Sequence, residues 1–200
     1  PTWRYVRQRT QQLVQQHALT GLWGRRVMTF GGLAEAILRG EGIEPERIDE
    51  LDRRLLARRL IDVLPLPHDA LKTATETKGF VTHLLHVITQ LKQANIEPEQ
   101  LAGALHGQPV TWLDDTVTAV YEAYQGELKD AGLFDRVGQL WLASILLQEG
   151  ACNALAGTRE IIFDAFDDFT PSELRLVAAL APRVDVMTFG LMFDPDLPTQ

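Results

Sequence analysis

The stretch that decides the fold is residues 161–171, which read Ile-Ile-Phe-Asp-Ala-Phe-Asp-Asp-Phe-Thr-Pro. An apolar run typical of a buried strand ends in Asp164, and two more acids follow at Asp167 and Asp168. Parallel strands of α/β proteins bind ligands at their carboxyl ends, and Mg²⁺ prefers carboxylate oxygens. The pattern predicts a strand whose end suits a metal-bound nucleotide.

The flanking signals predict the order of the remaining elements. Strand Glu160–Phe166, helix Ser172–Ala181 and strand Val184–Phe189 form a βαβ unit, whose crossover we expect to be right-handed. Residues 4–16, 26–30 and 33–38 read as helix, strand and helix, and the residues between these two regions are mostly helical. One of those helices is expected to begin near Asp114 or Asp115 as its N-cap.

This order predicts an α/β fold in which a parallel sheet fragment is interrupted by a large all-helical insertion. Residues 1–40 supply the first part of the α/β domain, residues 41–158 the insertion, and residues 159–200 the return to the sheet. The chain starts at Pro1 without an initiator Met, so we expect a fragment of a longer protein.

The charge of the chain is unevenly distributed. The net charge is −8, but residues 1–40 carry +5 and residues 41–200 carry −13. This balance argues against a wholly basic nucleic-acid module, while the basic arm suits a phosphate backbone locally or forms a solvated helix face. The single Cys152 excludes an internal disulfide, and no apolar run approaches the ~20 residues that span a bilayer, so we expect a cytoplasmic protein without membrane contact.

Two short motifs resemble the first motor domain of superfamily 1 helicases of the UvrD/RecB type. Pro1-Thr2-Trp3 resembles a family strand end that touches single-stranded DNA, and residues 29–34, Thr-Phe-Gly-Gly-Leu-Ala, are similar to a Thr-Phe-His-Ser-Leu-Ala-like segment. The resemblance implies a P-loop-NTPase-like (RecA-like) sheet with a helical subdomain inserted in it.

Residues 164–173 resemble one branch of that family more closely. They read Asp-Ala-Phe-Asp-Asp-Phe-Thr-Pro-Ser-Glu, close to the Asp-Gly-Phe-x-x-Phe-Thr-Pro-x-Glu pattern of AddB/RexB subunits of bacterial helicase–nucleases. Active helicases carry a catalytic glutamate where this chain has Ala165. The resemblance implies a degenerate, inactivated Mg²⁺ and nucleotide site (Walker B) formed by Asp164, Asp167, Asp168 and Glu173, with no catalytic residue and no metal.

The same resemblance implies a function in DNA double-strand-break repair and recombination. The domain is expected to guide single-stranded DNA from a duplex end and to support an active AddA-like helicase–nuclease subunit, while the parent protein belongs to an ATP-dependent helicase/exonuclease. Residues 1–200 contain no G-x-x-x-x-G-K-[ST] motif. ATP and Mg²⁺ are cofactors only if an intact phosphate-binding loop lies upstream.

Candidate DNA contacts lie in the basic first 40 residues, where aromatic and arginine side chains interleave. Such side chains stack on unpaired bases and neutralise phosphates, although each aromatic taken alone is more typical of a core. The candidates are Thr2, Arg4, Arg7, Arg25, Arg26, Thr29 and Phe30.

Blander and rival interpretations are open from the sequence alone. Asp164 and Asp168 are also suited to capping the following helix and solvating a loop. An active superfamily 1 ATPase would use Asp167 or Glu173 in place of the missing glutamate, and a pure protein-interaction domain would dock through the acidic insertion. His83 and His86 share a helix side but lack further ligands for a metal.

Overall fold

The computed structural model describes residues 3–16, 27–66, 74, 77, 79–150 and 153–191. The chain divides into two compact units. Unit 1 comprises Pro1–Glu44 with Gln139–Gln200, and unit 2 comprises Pro45–Gly138.

Helices dominate the described elements, and the strands are few and parallel. In chain order, these are α1 (Trp3–Gln16), α2 (Phe30–Gly40), β1 (Glu46–Arg47), α3 (Glu50–Val63), α4 (Phe80–Gln93), α5 (Pro98–Leu105), α6 (Trp112–Asp130), β2 (Leu133–Phe134), α7 (Arg136–Glu149), β3 (Glu160–Phe166), α8 (Pro171–Leu180) and β4 (Val186–Leu191). Short 3₁₀ turns cover Asn153–Leu155 and Ala181–Arg183.

Strands β3 and β4 pair in parallel, with α8 between them in the chain. The register places Phe163 opposite Phe189 and Asp164 opposite Gly190, and it becomes irregular between Asp164 and Phe166. The strand–helix–strand order and the parallel pairing confirm the predicted βαβ unit. The second strand begins and ends two residues later than predicted. The strand end therefore lies beside the loop that leads into α8.

The predicted strand over residues 26–30 is wrong for the residues described there. Phe30 already begins α2, and Thr29 is its N-cap, since the Thr29 hydroxyl accepts a hydrogen bond from the Gly32 amide at 3.1 Å. A threonine that satisfies a free amide of the first helical turn stabilises a helix start, which here outweighs the β propensity of Thr and Phe.

The predicted start of α6 at Asp114 or Asp115 is also wrong. Thr111 is the N-cap, and Asp114 completes a capping box by accepting from the Thr111 amide at 2.8 Å. Aspartate thus stands at the third helical position, where its charge also favours the amino-terminal end of the helix dipole.

Each unit has its own apolar core. In unit 2 the core joins α3, α4 and α6, with buried Tyr121 and Tyr124 as its largest members. In unit 1 the core joins α2, α7, α8 and β3, and includes Phe30, Phe163 and Leu176. Full burial of one such side chain stabilises the fold by about 1.5–3 kcal/mol, so the two cores account for why both units are compact.

Candidate functional site

The candidate site begins at the carboxyl end of β3. Asp164 is half exposed there, and its Oδ2 lies 3.1 Å from Nε of Arg9 on α1. Each of the two side chains is 41% exposed. The chain itself therefore supplies a positive partner for this carboxylate.

The other acids of the strand end lie in or beside the turn into α8. Asp167 and Asp168 are exposed, and Asp168 Oδ1 accepts from the Phe169 amide at 2.7 Å. Glu173 instead forms a capping box with Thr170: its Oε2 accepts from the Thr170 amide and hydroxyl, both at 3.0 Å. The N-cap of α8 is therefore Thr170, and not Asp164 or Asp168. The Thr170 hydroxyl accepts a hydrogen bond from the Glu173 amide at 3.3 Å.

Five phenylalanines pack together beside these carboxylates, and we call them the phenylalanine cluster. Phe163 stacks on Phe189 with ring centres 4.9 Å apart, and Phe166 stacks on Phe169 at the same distance. Phe30 meets the edge of Phe166 at 5.3 Å. Apolar rings rather than polar ligands therefore fill the region where β3 ends.

The strand end does not gather ligands for a cation. Within the described ranges, no three His, Cys, Asp or Glu side chains converge in a way that suits a metal ion. In this arrangement Asp164 faces an arginine, Glu173 caps α8, and residue 165 is an alanine, which has no oxygen or nitrogen in its side chain.

The candidate DNA contacts have different surroundings. Arg4 and Arg7 are exposed on α1. Phe30 is only 4% exposed, so its ring belongs to the core and is not open to a base, and the Thr29 hydroxyl is occupied by the cap of α2. Thr2, Arg25 and Arg26 lie outside the described residues.

Sequence reasoning missed Arg9 and a buried polar network in unit 2. Lys92 is 1% exposed and Asp135 is 3% exposed, and Lys92 Nζ lies 2.7 Å from Asp135 Oδ2. Lys92 also donates to Gln125 at 2.7 Å, and the Tyr124 hydroxyl donates to Asp135 at 3.2 Å. Arg53 completes the network by donating to the Tyr124 oxygen at 3.0 Å.

Burial and charge perturb the pKa values in this network. Burial alone would raise the pKa of the Asp135 carboxyl, but the Lys92 ammonium and the Gly138 amide lower it below its usual value. Burial and the nearby Asp135 charge raise the pKa of the Tyr124 hydroxyl. Asp135 also accepts from the Gly138 amide at 2.8 Å in the first turn of α7, so the network has a structural use.

One sequence signal was available for Lys92. It stands four residues after buried Ile88 and eight after buried Leu84, which places a lysine on the apolar face of α4. A charge on such a face needs a buried partner, but the pattern does not say which acid provides it.

Comparison with known proteins decides the family. The family model described as "ADDB, N-terminal" matches residues 4–200. The chain belongs to the AddB N-terminal family. The match confirms the family that residues 164–173 indicated, and it extends over nearly the whole chain.

The relatives of this chain carry two kinds of name. The chain is 26% identical over 92% of its length to the B subunit of an ATP-dependent helicase/deoxyribonuclease of Alkaliphilus metalliredigens, and 30% identical over 88% to the protein of the same name from Pelotomaculum thermopropionicum. It is also 28% identical over 90% of its length to an "ATP-dependent DNA helicase PcrA" of Leuconostoc citreum, where it covers 23% of that protein.

The chain spans 16% of the length of each of the two helicase/deoxyribonuclease relatives. Among the helices of the described ranges, none combines the length and apolar character that crossing a bilayer requires.

Proposed function

We propose that this chain is a non-hydrolysing helicase-like domain of an AddB-type subunit, acting in DNA double-strand-break repair. In this proposal residues 1–40 and 159–200 belong to a RecA-like α/β domain, and residues 41–158 form a helical insertion in it. The domain guides single-stranded DNA and supports an active AddA-like motor subunit. The names of the relatives support the helicase–nuclease setting.

The observation that carries the proposal is the state of the carboxylate at the end of β3. ATP hydrolysis needs a Mg²⁺ carboxylate and a residue that positions the attacking water. Here Asp164 is paired with Arg9, and the residue that follows it is alanine. The phenylalanine cluster supports the same conclusion, because rings replace the polar surroundings that charge stabilisation requires.

The positive charge of α1 supports the DNA-guiding part. Arg4 and Arg7 are three residues apart on one helix, which makes them neighbours on its surface, and both are exposed. Two adjacent guanidinium groups suit adjacent phosphates of a single strand.

The test is single-strand binding by the full-length subunit, followed by fluorescence anisotropy over a series of salt concentrations. We expect salt-sensitive binding, and each of Arg4→Ala and Arg7→Ala should reduce the slope of log affinity against log salt by about 0.7. Arg159→Ala is the matched control, since Arg159 is 86% exposed and lies outside the basic arm. Equal effects of all three substitutions, or no binding at low salt, would refute the DNA-guiding role.

A further inference from the structure

The Arg9–Asp164 ion pair joins two segments that are far apart in the chain. Arg9 lies near the middle of α1, and Asp164 lies at the end of β3. The Arg9 guanidinium also donates from Nη1 to Gln12 Oε1 at 3.3 Å, so α1 itself restrains the side chain. A restrained guanidinium loses less conformational freedom when it pairs, which favours the contact.

The helix geometry links this ion pair to the candidate DNA contacts. At 3.6 residues per turn, Arg9 points about 140° away from Arg4 and about 160° away from Arg7. When Arg9 faces Asp164, the other two arginines are directed elsewhere, and both are exposed, whereas Arg9 is half buried. The ion pair and the two exposed arginines therefore lie on different sides of α1.

The surroundings of Asp164 favour this structural use of its charge. Gly190 stands opposite Asp164 on β4, and a Cβ at residue 190 would lie 3.4 Å from Asp164 Oδ1. Gly190, a position without a side chain, and Arg9 are thus two of the neighbours of this carboxylate.

We propose that Arg9 and Asp164 are positioning residues, whose ion pair holds α1 at the end of β3 and so presents Arg4 and Arg7 to the phosphates of single-stranded DNA. This inference rests on the proposed function. It gives the Asp164 carboxylate a role in DNA binding that involves neither a metal nor contact with the DNA.

The sign of the Asp164 effect separates this role from simple electrostatics. Removal of a negative charge near DNA ordinarily strengthens binding, and release of Arg9 would add a phosphate contact. The positioning role predicts the opposite: Asp164→Asn weakens single-strand binding. An ion pair this exposed contributes up to ~1 kcal/mol, so the loss should be about two- to fivefold. The salt slope should stay unchanged, because Arg4 and Arg7 still make the phosphate contacts.

The experiment uses the full-length subunit, a fluorescent oligothymidylate and hydrogen exchange of the α1 amides without DNA. Arg9→Ala and Asp164→Asn should each weaken binding about two- to fivefold and speed exchange in α1 by a similar factor. The charge-swapped double variant Arg9→Asp/Asp164→Arg should restore both readouts, while Arg9→Asp alone should be the weakest binder.

Two results would overturn the positioning role. Stronger binding with a steeper salt slope in Asp164→Asn would make Arg9 a DNA contact that Asp164 masks. Unchanged α1 exchange in both single variants would show that the ion pair does not hold the helix. A wild-type protein that binds no DNA would refute the proposed function and the DNA half of this inference, whereas exchange decides the anchoring half separately.

Discussion

The strand end of unit 1 and the buried network of unit 2 use charge in opposite ways. At the end of β3, the Asp164 carboxylate is half exposed and pairs with an arginine that is equally exposed. In unit 2, the Asp135 carboxylate and the Lys92 ammonium are almost fully buried and bonded to each other. The sequence motif that resembles a functional site thus lies where charges are weakly held, and the strongly perturbed groups lie in a structural network.

This comparison matters because perturbed titratable groups are often taken as markers of active sites. Structural ion-pair networks perturb pKa values as well. The network in unit 2 joins α3, α4, α6 and the first turn of α7 through its hydrogen bonds, and each bond satisfies a buried polar group. Its chemistry therefore serves the packing of unit 2.

The largest expected effect comes from breaking the buried pair. Lys92→Met leaves the Asp135 carboxylate buried without its ammonium, and such a loss costs about 3–5 kcal/mol. Asp164→Asn, which breaks the exposed pair, should cost no more than ~1 kcal/mol. Urea unfolding of the two variants measures both values. Similar losses in the two variants would remove the distinction between the two regions.

The stability of unit 2 should also depend on pH in the acid range, because the Asp135 carboxylate must stay ionised to pair with Lys92. The lowered pKa of Asp135 means that its stabilisation is complete above the unfolded-state pKa of about 3.9 and is lost as the pH falls through the folded-state value. Lys92, Arg53 and Tyr124 face this carboxylate from α4, α3 and α6.

Unfolding in urea at several pH values below 5 measures this dependence. In Asp135→Asn the decline toward low pH should be flatter than in the wild-type chain, because one carboxyl no longer titrates. Gly126→Ala, which changes no titratable group, is the control and should retain the wild-type slope. A slope that Asp135→Asn leaves unchanged would show that other carboxyls dominate the acid response.

Two glycine-to-alanine substitutions, one in each unit, test how tightly the two units are packed. A Cβ at Gly40 would lie 2.9 Å from the Ala154 amide nitrogen, so Gly40→Ala should overpack unit 1 and cost about 1–3 kcal/mol. Gly126 lies inside α6 with nothing within 4 Å of an added Cβ, so Gly126→Ala should stabilise by up to ~1 kcal/mol through helix propensity. Thermal unfolding measures both, and equal signs would contradict this packing.

The smallest effects are expected from the capping box of α8, which consists of Thr170 and Glu173. Thr170→Ala should lower stability by about 1 kcal/mol, because it removes the N-cap of α8. Glu173→Gln should change stability little, since glutamine also completes a capping box. Chemical denaturation checks the pair. A large loss of DNA-stimulated phosphate release in Glu173→Gln would instead assign this residue to hydrolysis.

The sequence predicted correctly those elements whose bounds are set by residues adjacent in the chain. Strand β3 matches its predicted bounds, because its apolar residues and the Thr170-Pro171 break are adjacent in the chain. The predicted strand at 26–30 failed because a single hydroxyl of Thr29 starts a helix there. The Lys92–Asp135 and Arg9–Asp164 pairs were not predictable, since each joins residues whose proximity depends on the tertiary fold.

The AddB-like identity of the motif was predictable, while its geometry was not. Residues 164–173 indicated the family from their letters alone, and the family match confirms it. The sequence did not show that the Glu173 carboxylate forms a capping box at the start of α8, nor that the Phe30 ring is buried in the core of unit 1.

The most direct test of the central claim is DNA-stimulated phosphate release by the full-length protein assembled with the proposed AddA-like motor subunit, in wild-type and Asp164→Ala forms. A domain that guides DNA without hydrolysing ATP predicts the same maximal rate in both forms at saturating single-stranded DNA, with only the DNA concentration for half-maximal stimulation raised. A collapse of the maximal rate in Asp164→Ala would contradict the account, because it would show that this carboxylate takes part in hydrolysis.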